Sequence, residues 1–389
     1  MTWWRRLFSV EQRPELNHPR EALLTANAID PGDFASKICT FDNSGQQSTV
    51  LDAAKTSLGS LPQSTATPLT ALMVHKLFAD SLTRLLGHPI ANIESFLVSN
   101  GLLLSVCGSA ELLPIQSVEV GLRLPDYSLP GVPSLRDHQG RDIVFNRVTL
   151  GNPLSVAKWG DGSSALGAYA RGCMFLMSHT IRARVIQDWA WTRTMIMANA
   201  VFGLPLEQTP DFIGNTPPPK PVCVFVRCKH ITRSFLTGKD LSTFDANSET
   251  PPPEFDEWCR RDHEANVAYH EIAGHHIHDL ERGQTSLWSE ADIPFAEARA
   301  MLCECKHGPA PFLGIVAAFN RLDSLGTRSF AGTDVQLFFS SLLGIGSIPG
   351  ADPALSKAAW QSIAINLSSR KDSELREMAK RGLSTLKPK

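Results

Sequence analysis

The chain has 389 residues, 37 of them basic and 39 acidic, a formal net charge of −2, and is 43% hydrophobic and 20% charged. That is ordinary for a soluble globular protein, and the length suits one large domain or two at about 100–200 residues each. The even charge balance gives no global reason to expect nucleic acid or an anionic membrane as a partner.

Eight cysteines are scattered along the chain with no CxxC pair. In a chain this large they read as reduced thiols, which points to a cytoplasmic protein. Met1-Thr2-Trp3-Trp4-Arg5-Arg6-Leu7-Phe8 is followed by Glu11 and Arg13, so no signal peptide is expected. No apolar run reaches the roughly 20 residues that span a bilayer.

Residues 1–60 are polar and mixed. From Thr67 the spacing of Leu69, Leu72, Met73, Leu77, Leu82 and Leu85 predicts a helix, broken at Gly87-His88-Pro89. A second helical stretch is expected from Ile90 to about Leu104. Val118, Val120 and Leu122 then alternate with Glu119, Gly121 and Arg123, a period-two strand signal. Ile143, Phe145 and Val148 suggest another strand after the turn at His138-Gln139-Gly140. Ser164–Phe202 reads as a long apolar helical region, and Val222–Cys228 as a buried strand. Pro251-Pro252-Pro253 marks a boundary, dividing residues 1–250 from a helical region at 251–389.

The chemistry concentrates between His263 and Glu304. Five of the twelve histidines, His263, His270, His275, His276 and His278, fall within 16 residues. Neutral imidazoles are good zinc ligands, and a catalytic zinc takes three protein ligands plus water. Glu271, beside His270, is placed to accept a proton from that water. The gap from His270 to His275 is five residues, which an ideal helix places about 140° apart. Both reach one ion only if the helix carries an extra residue, as in a π-bulge, and Gly274 is a permissive place for it. On an undistorted helix, Glu271, His275 and His278 would share a face instead. The third ligand is expected from the helix beginning near Pro294, where Glu297 stands, with Glu304 seven residues on as an orienting carboxylate or a solvated one. Tyr269 and Arg299 are candidates for stabilising an oxyanion.

His-Glu-Ile-Ala-Gly-His at 270–275 resembles the HExxGH motif of the dipeptidyl peptidase III family. Ala296-Glu297-Ala298-Arg299-Ala300 is similar to that family's second motif, EECRAE. The resemblance implies zinc held by His270, His275 and Glu297, with Glu271 as general base. The HExxxH tubulin tyrosine carboxypeptidases share the first element too. The resemblance covers about a tenth of the chain, and Ala296 and Met301 stand where EECRAE has acidic residues.

The expected protein is thus α+β and mostly helical, with a zincin-like helix pair in its C-terminal part and a small sheet upstream. The expected function is zinc-dependent hydrolysis of a peptide or small amide, as a gluzincin-like metalloprotease or amidase. The alternatives are a metalloenzyme doing non-proteolytic chemistry on a small molecule, and a structural subunit with a vestigial zincin-like helix. Oligomeric state is left open.

Overall fold

The computed structural model describes residues 48–61, 71–106, 109–124, 136, 140–158, 166–170, 173–215, 222–278, 293–325, 334–345 and 353–386. The Trp-rich start, the Gly160–Ser164 stretch, Thr216–Pro219, Asp279 and the Gly283–Ser289 connector lie outside them. The protein is α+β and mostly helical, with a small mixed sheet upstream of a helical C-terminal part. No helix of the described residues is long and apolar enough to cross a membrane. The chain divides into two compact units, Met1–Leu122 with Val144–Thr180, and Arg123–Ile143 with Ile181–Lys389.

The first unit pairs helices α1 (Ser48–Gly59), α2 (Ala71–Leu86) and α3 (Ile93–Ser99) with strands β1 (Leu102–Val106), β2 (Ser109–Arg123), β3 (Val144–Leu150), β4 (Ser155–Lys158), β5 (Gly167–Ala170) and β6 (Cys173–Met177). Strand order is β1-β2-β3-β6-β5, with β4 also on β2, and the β3–β6 pair is parallel. Period-two geometry sends neighbouring residues to opposite faces. Leu102, Leu104 and Leu112 pack with Ala54, Leu58, Phe78 and Leu82 of the helices. Leu103, Leu113 and Ile115 pack with Val148, Leu150 and Phe175.

Two expectations for this unit change. The helix expected to run to Leu104 ends at Ser99. Asn92 caps its start by accepting from the Ser95 amide at 2.9 Å, and Gly101, at φ 69°, turns the chain into β1. The region expected to be helical from Ser164 contains strands β5 and β6, and its helix begins only at Ser178.

In the second unit, α4 (Ser178–Phe202) and α5 (Thr209–Asn215) precede α6 (Val222–Ile231), which continues as a π-helical turn over Thr232–Leu236. The strand expected at Val222–Cys228 is therefore a helix. A short unbroken apolar run fits a buried helix as well as a buried strand, and tertiary packing decided between them. Helix α7 (Pro253–Ala268) starts on Pro252 with Pro253 in its first turn, and passes without a break into a π-helical segment, Tyr269–His276. Then come α8 (Ile293–His307), α9 (Phe312–Leu325), α10 (Asp334–Leu343), α11 (Pro353–Ser368) and α12 (Asp372–Thr385).

Helix α8 is the hub. Its Ala298, Met301, Leu302 and Cys305 share one buried cluster with Val226 of α6, Phe312 and Phe319 of α9, Phe338 and Phe339 of α10, and Leu375 of α12. Two glycines allow the backbones to come this close. A Cβ on Gly274 would lie 2.4 Å from the Ala300 Cβ, and one on Gly314 would lie 2.4 Å from the Met301 carbonyl oxygen. Both distances are far inside van der Waals contact.

Candidate metal centre

The π-helical segment answers the spacing problem posed by the two histidines. In an i→i+5 ladder, residues five apart stack where residues four apart stack in an α-helix. His275 Nε2 accordingly lies 3.3 Å from His270 Nε2. Gly274, just before His275, lets the segment press onto Ala300 of α8, and Arg299 fastens the crossing by donating to the Gly274 carbonyl at 2.7 Å.

One turn before Ala300, Glu297 turns to the same place. Its Oε2 is 3.1 Å from His270 Nε2 and its Oε1 is 3.4 Å from His275 Nε2. His275 and Glu297 are buried and His270 is half-buried. Two imidazole nitrogens and a carboxylate form the donor set of many catalytic zinc sites. Tetrahedral zinc with bonds of about 2.0–2.1 Å holds its ligand atoms about 3.3 Å apart. The two imidazole nitrogens stand at that spacing, and the Glu297 carboxylate presents one oxygen to each of them, with one donor atom from each residue within 4.8 Å of the others, so the residues suit a small divalent cation.

Glu304, two turns beyond Glu297 on α8, meets the other side of the His270 ring, its Oε1 2.6 Å from Nδ1. It is buried, and its Oε2 has no hydrogen-bond partner. Burial disfavours a charged imidazole, but Glu304 and Glu297 flanking the ring outweigh it and hold the His270 pKa well above the usual histidine range. Burial likewise holds the Glu304 carboxyl above its usual range, opposed by the His270 ring beside it. A ligating imidazole is neutral, so binding of an ion here would compete with protonation of that ring.

Glu271 follows His270 on the π-helical segment and is half-buried. Burial pushes His276 down to about 4, which keeps it neutral. His278 packs tilted against Phe295, ring centroids 5.7 Å apart. The alternative set of Glu271, His275 and His278 does not assemble, because the bulge that joins His270 to His275 removes the regular helix it needs. Tyr269 is buried, with its hydroxyl 3.4 Å from the Leu124 carbonyl, and Arg299 is held at Gly274. Cys303 and Cys305 are buried, as are Cys173, Cys228 and Cys259, while Cys223 is half-buried.

Seven residues before His270, the same helix carries a second cluster that sequence reasoning missed. Asp188 of α4 meets Cys259 and His263 of α7 at 3.2 and 2.9 Å. Arg227 of α6 occupies the middle. Its Nη2 lies 2.8 Å from Asp188, 3.4 Å from His263 Nε2 and 3.6 Å from Cys259 Sγ, and its Nη1 lies 2.6 Å from Asp262. Asp262 in turn accepts from or faces His230 Nε2 at 2.9 Å. Burial alone would raise both aspartates, yet Arg227 with His263 at Asp188, and His230 with Arg227 at Asp262, hold them well below the usual carboxylate range. The guanidinium already serves as this cluster's cation, so it is an ion-pair anchor for α7 rather than a metal site. The one sequence signal for it was an arginine inside the apolar run Val222–Ile231.

Comparison with protein-family models, with curated proteins and with solved structures gives no match.

Proposed function

We propose that His270, His275 and Glu297 bind a zinc ion and that the centre hydrolyses a peptide or amide bond. The observation carrying this reading is the convergence of His270, His275 and Glu297, with one donor atom from each lying within 4.8 Å of the others, across a π-helical segment that stacks the two histidines. A zinc ion in such a site supplies an acidified water and polarises a carbonyl oxygen. Glu271, adjacent to His270, is the base that takes the proton and returns it to the leaving amine. The buried His275 and Glu297 keep bulk water from competing for the donor atoms.

Metal content is the direct test. Elemental mass spectrometry should find about one zinc per chain in the wild type and none in a His270→Ala/His275→Ala variant. Glu271→Gln should keep its zinc and lose hydrolysis of a peptide library. A wild type that takes up no zinc when supplied with it rules out the hydrolase and leaves a structural role for the helix pair. A zinc-loaded wild type that cleaves no peptide or amide, but turns over another small-molecule class, would place the chemistry elsewhere on the same centre.

A further inference from the structure

Resting on that metal reading, we infer that Glu304 is the positioning residue of the centre: it selects the tautomer of His270 and aims its Nε2 at the ion. The residue that does this is not legible from the motif that names the site. In the EECRAE-like segment the acidic position after the ligand glutamate is taken here by Met301, which is buried in the hydrophobic cluster of α8. The carboxylate comes instead from one turn further on. Glu297 and Glu304 are seven residues apart, two turns of helix, and so lie on one face of α8. Ala300 sits between them on that face, small enough for Gly274 to touch. One helix face thus presents a carboxylate, a gap for the opposite backbone and a second carboxylate, and the His270 ring spans the interval. Its Nε2 faces Glu297 at 3.1 Å and its Nδ1 faces Glu304 at 2.6 Å.

An imidazole that donates from Nδ1 to a carboxylate must present the lone pair on Nε2, which is the nitrogen turned to His275 and Glu297. Apart from the His270 ring, little satisfies Glu304. It is 1% exposed, and its second oxygen has no hydrogen-bond partner. A solvated or merely structural glutamate at this position would turn to water, and a buried carboxylate half satisfied costs stability wherever it is not needed.

The test compares zinc affinity, by competition with a chromogenic chelator, and the visible spectrum of the cobalt-substituted protein, in wild type, Glu304→Gln and Glu304→Asp. Glu304→Gln keeps the size and an acceptor but loses the charge. It should still bind one zinc per chain, 10- to 100-fold more weakly, with altered cobalt bands and an unchanged far-ultraviolet circular dichroism spectrum. Glu304→Asp keeps the charge but falls short of the ring, and should lie between the two. If Glu304→Gln does not fold, the aspartate variant alone decides, and wild-type affinity in it overturns the inference. Equal affinity and equal cobalt spectra in all three also overturn it while the metal reading stands. A wild type that binds neither zinc nor cobalt removes both.

Discussion

Replacing Gly274 by alanine sets two known effects against each other, and the structure says which wins. In a helix, alanine is favoured over glycine by about 0.8–1.0 kcal/mol. Here the added methyl would sit 2.4 Å from the Ala300 Cβ and 2.5 Å from the Ala300 Cα. Carbon atoms in contact settle about 3.5–4.0 Å apart, so the two helices must part by about 1 Å or more. Overpacking of this kind costs about 1–3 kcal/mol, and a clash with backbone, which cannot rotate away, belongs at the top of that range. The net loss is therefore about 2 kcal/mol. Glu297 lies one turn from Ala300 and moves with it, while metal–ligand distances tolerate only about 0.2 Å. Urea unfolding of the metal-free protein should show a lower midpoint at unchanged slope, and chelator competition should show zinc affinity down by at least about a hundredfold. Adding Ala300→Gly removes the contact at 2.4 Å but leaves the one at 2.5 Å, so rescue should be partial. Gly59→Ala, at the end of α1 and with nothing within 4 Å of the added methyl, is the control and should lose no stability, gaining up to about 1 kcal/mol. A Gly274→Ala protein as stable as wild type, with full zinc affinity, would refute the argument.

Arg227→Met leaves two buried aspartates without their cation and should cost about 3–5 kcal/mol in urea unfolding, most of it recovered when Asp188→Asn and Asp262→Asn are added. A loss under about 1 kcal/mol would mean that water reaches the cluster. His307 should give the protein an acid-sensitive limb. Burial first, then Lys306, Arg376 and Arg299, push it down to about 3. Between that value and the ordinary 6.5 the unfolded chain binds the proton that the folded one refuses, so stability falls as pH drops through the window. His307→Gln should shallow the slope between pH 6.5 and 4.5 without abolishing it, because burial also pushes His276 down, to about 4. An identical slope in the variant would count against the burial of that ring.

The centre was legible because its irregularity was written in the spacing. Two histidines five apart on one helix can meet only if the helix carries an extra residue, and the π-helical Tyr269–His276 segment brings them to 3.3 Å. The same logic failed where the pattern had no irregularity to read. Val222–Cys228 is apolar at nearly every position, so neither a period of two nor one of 3.6 stands out, and only its packing under α9 and α11 makes it a helix. The strands β5 and β6 were hidden for a related reason. Cys173–Met177 is buried at all five positions, and its apolar run merges into the helix that begins at Ser178. Asp188 and Arg227 are 39 residues apart and on different helices, and nothing local marks them as partners.

The two clusters on one continuous helix bear on each other. Asp188, Cys259 and His263 have the donor types of a metal site, and by residue type alone they compete with His270, His275 and Glu297. What separates them is the cation. In the first, a guanidinium lies within 3.6 Å of all three donors, and its charge and directional N–H groups leave them satisfied. In the second, the donors face one another, and Glu297 and Glu304 both meet the His270 ring, the imidazole that a metal would need neutral. One proton balances one carboxylate, and a divalent ion balances two. Supplying zinc should therefore raise the melting temperature of the wild type and do so equally in Arg227→Lys, which keeps a charge in the first cluster. A rise that vanished in Arg227→Lys but survived in His270→Ala would place the metal in the wrong cluster, and the assignment with it.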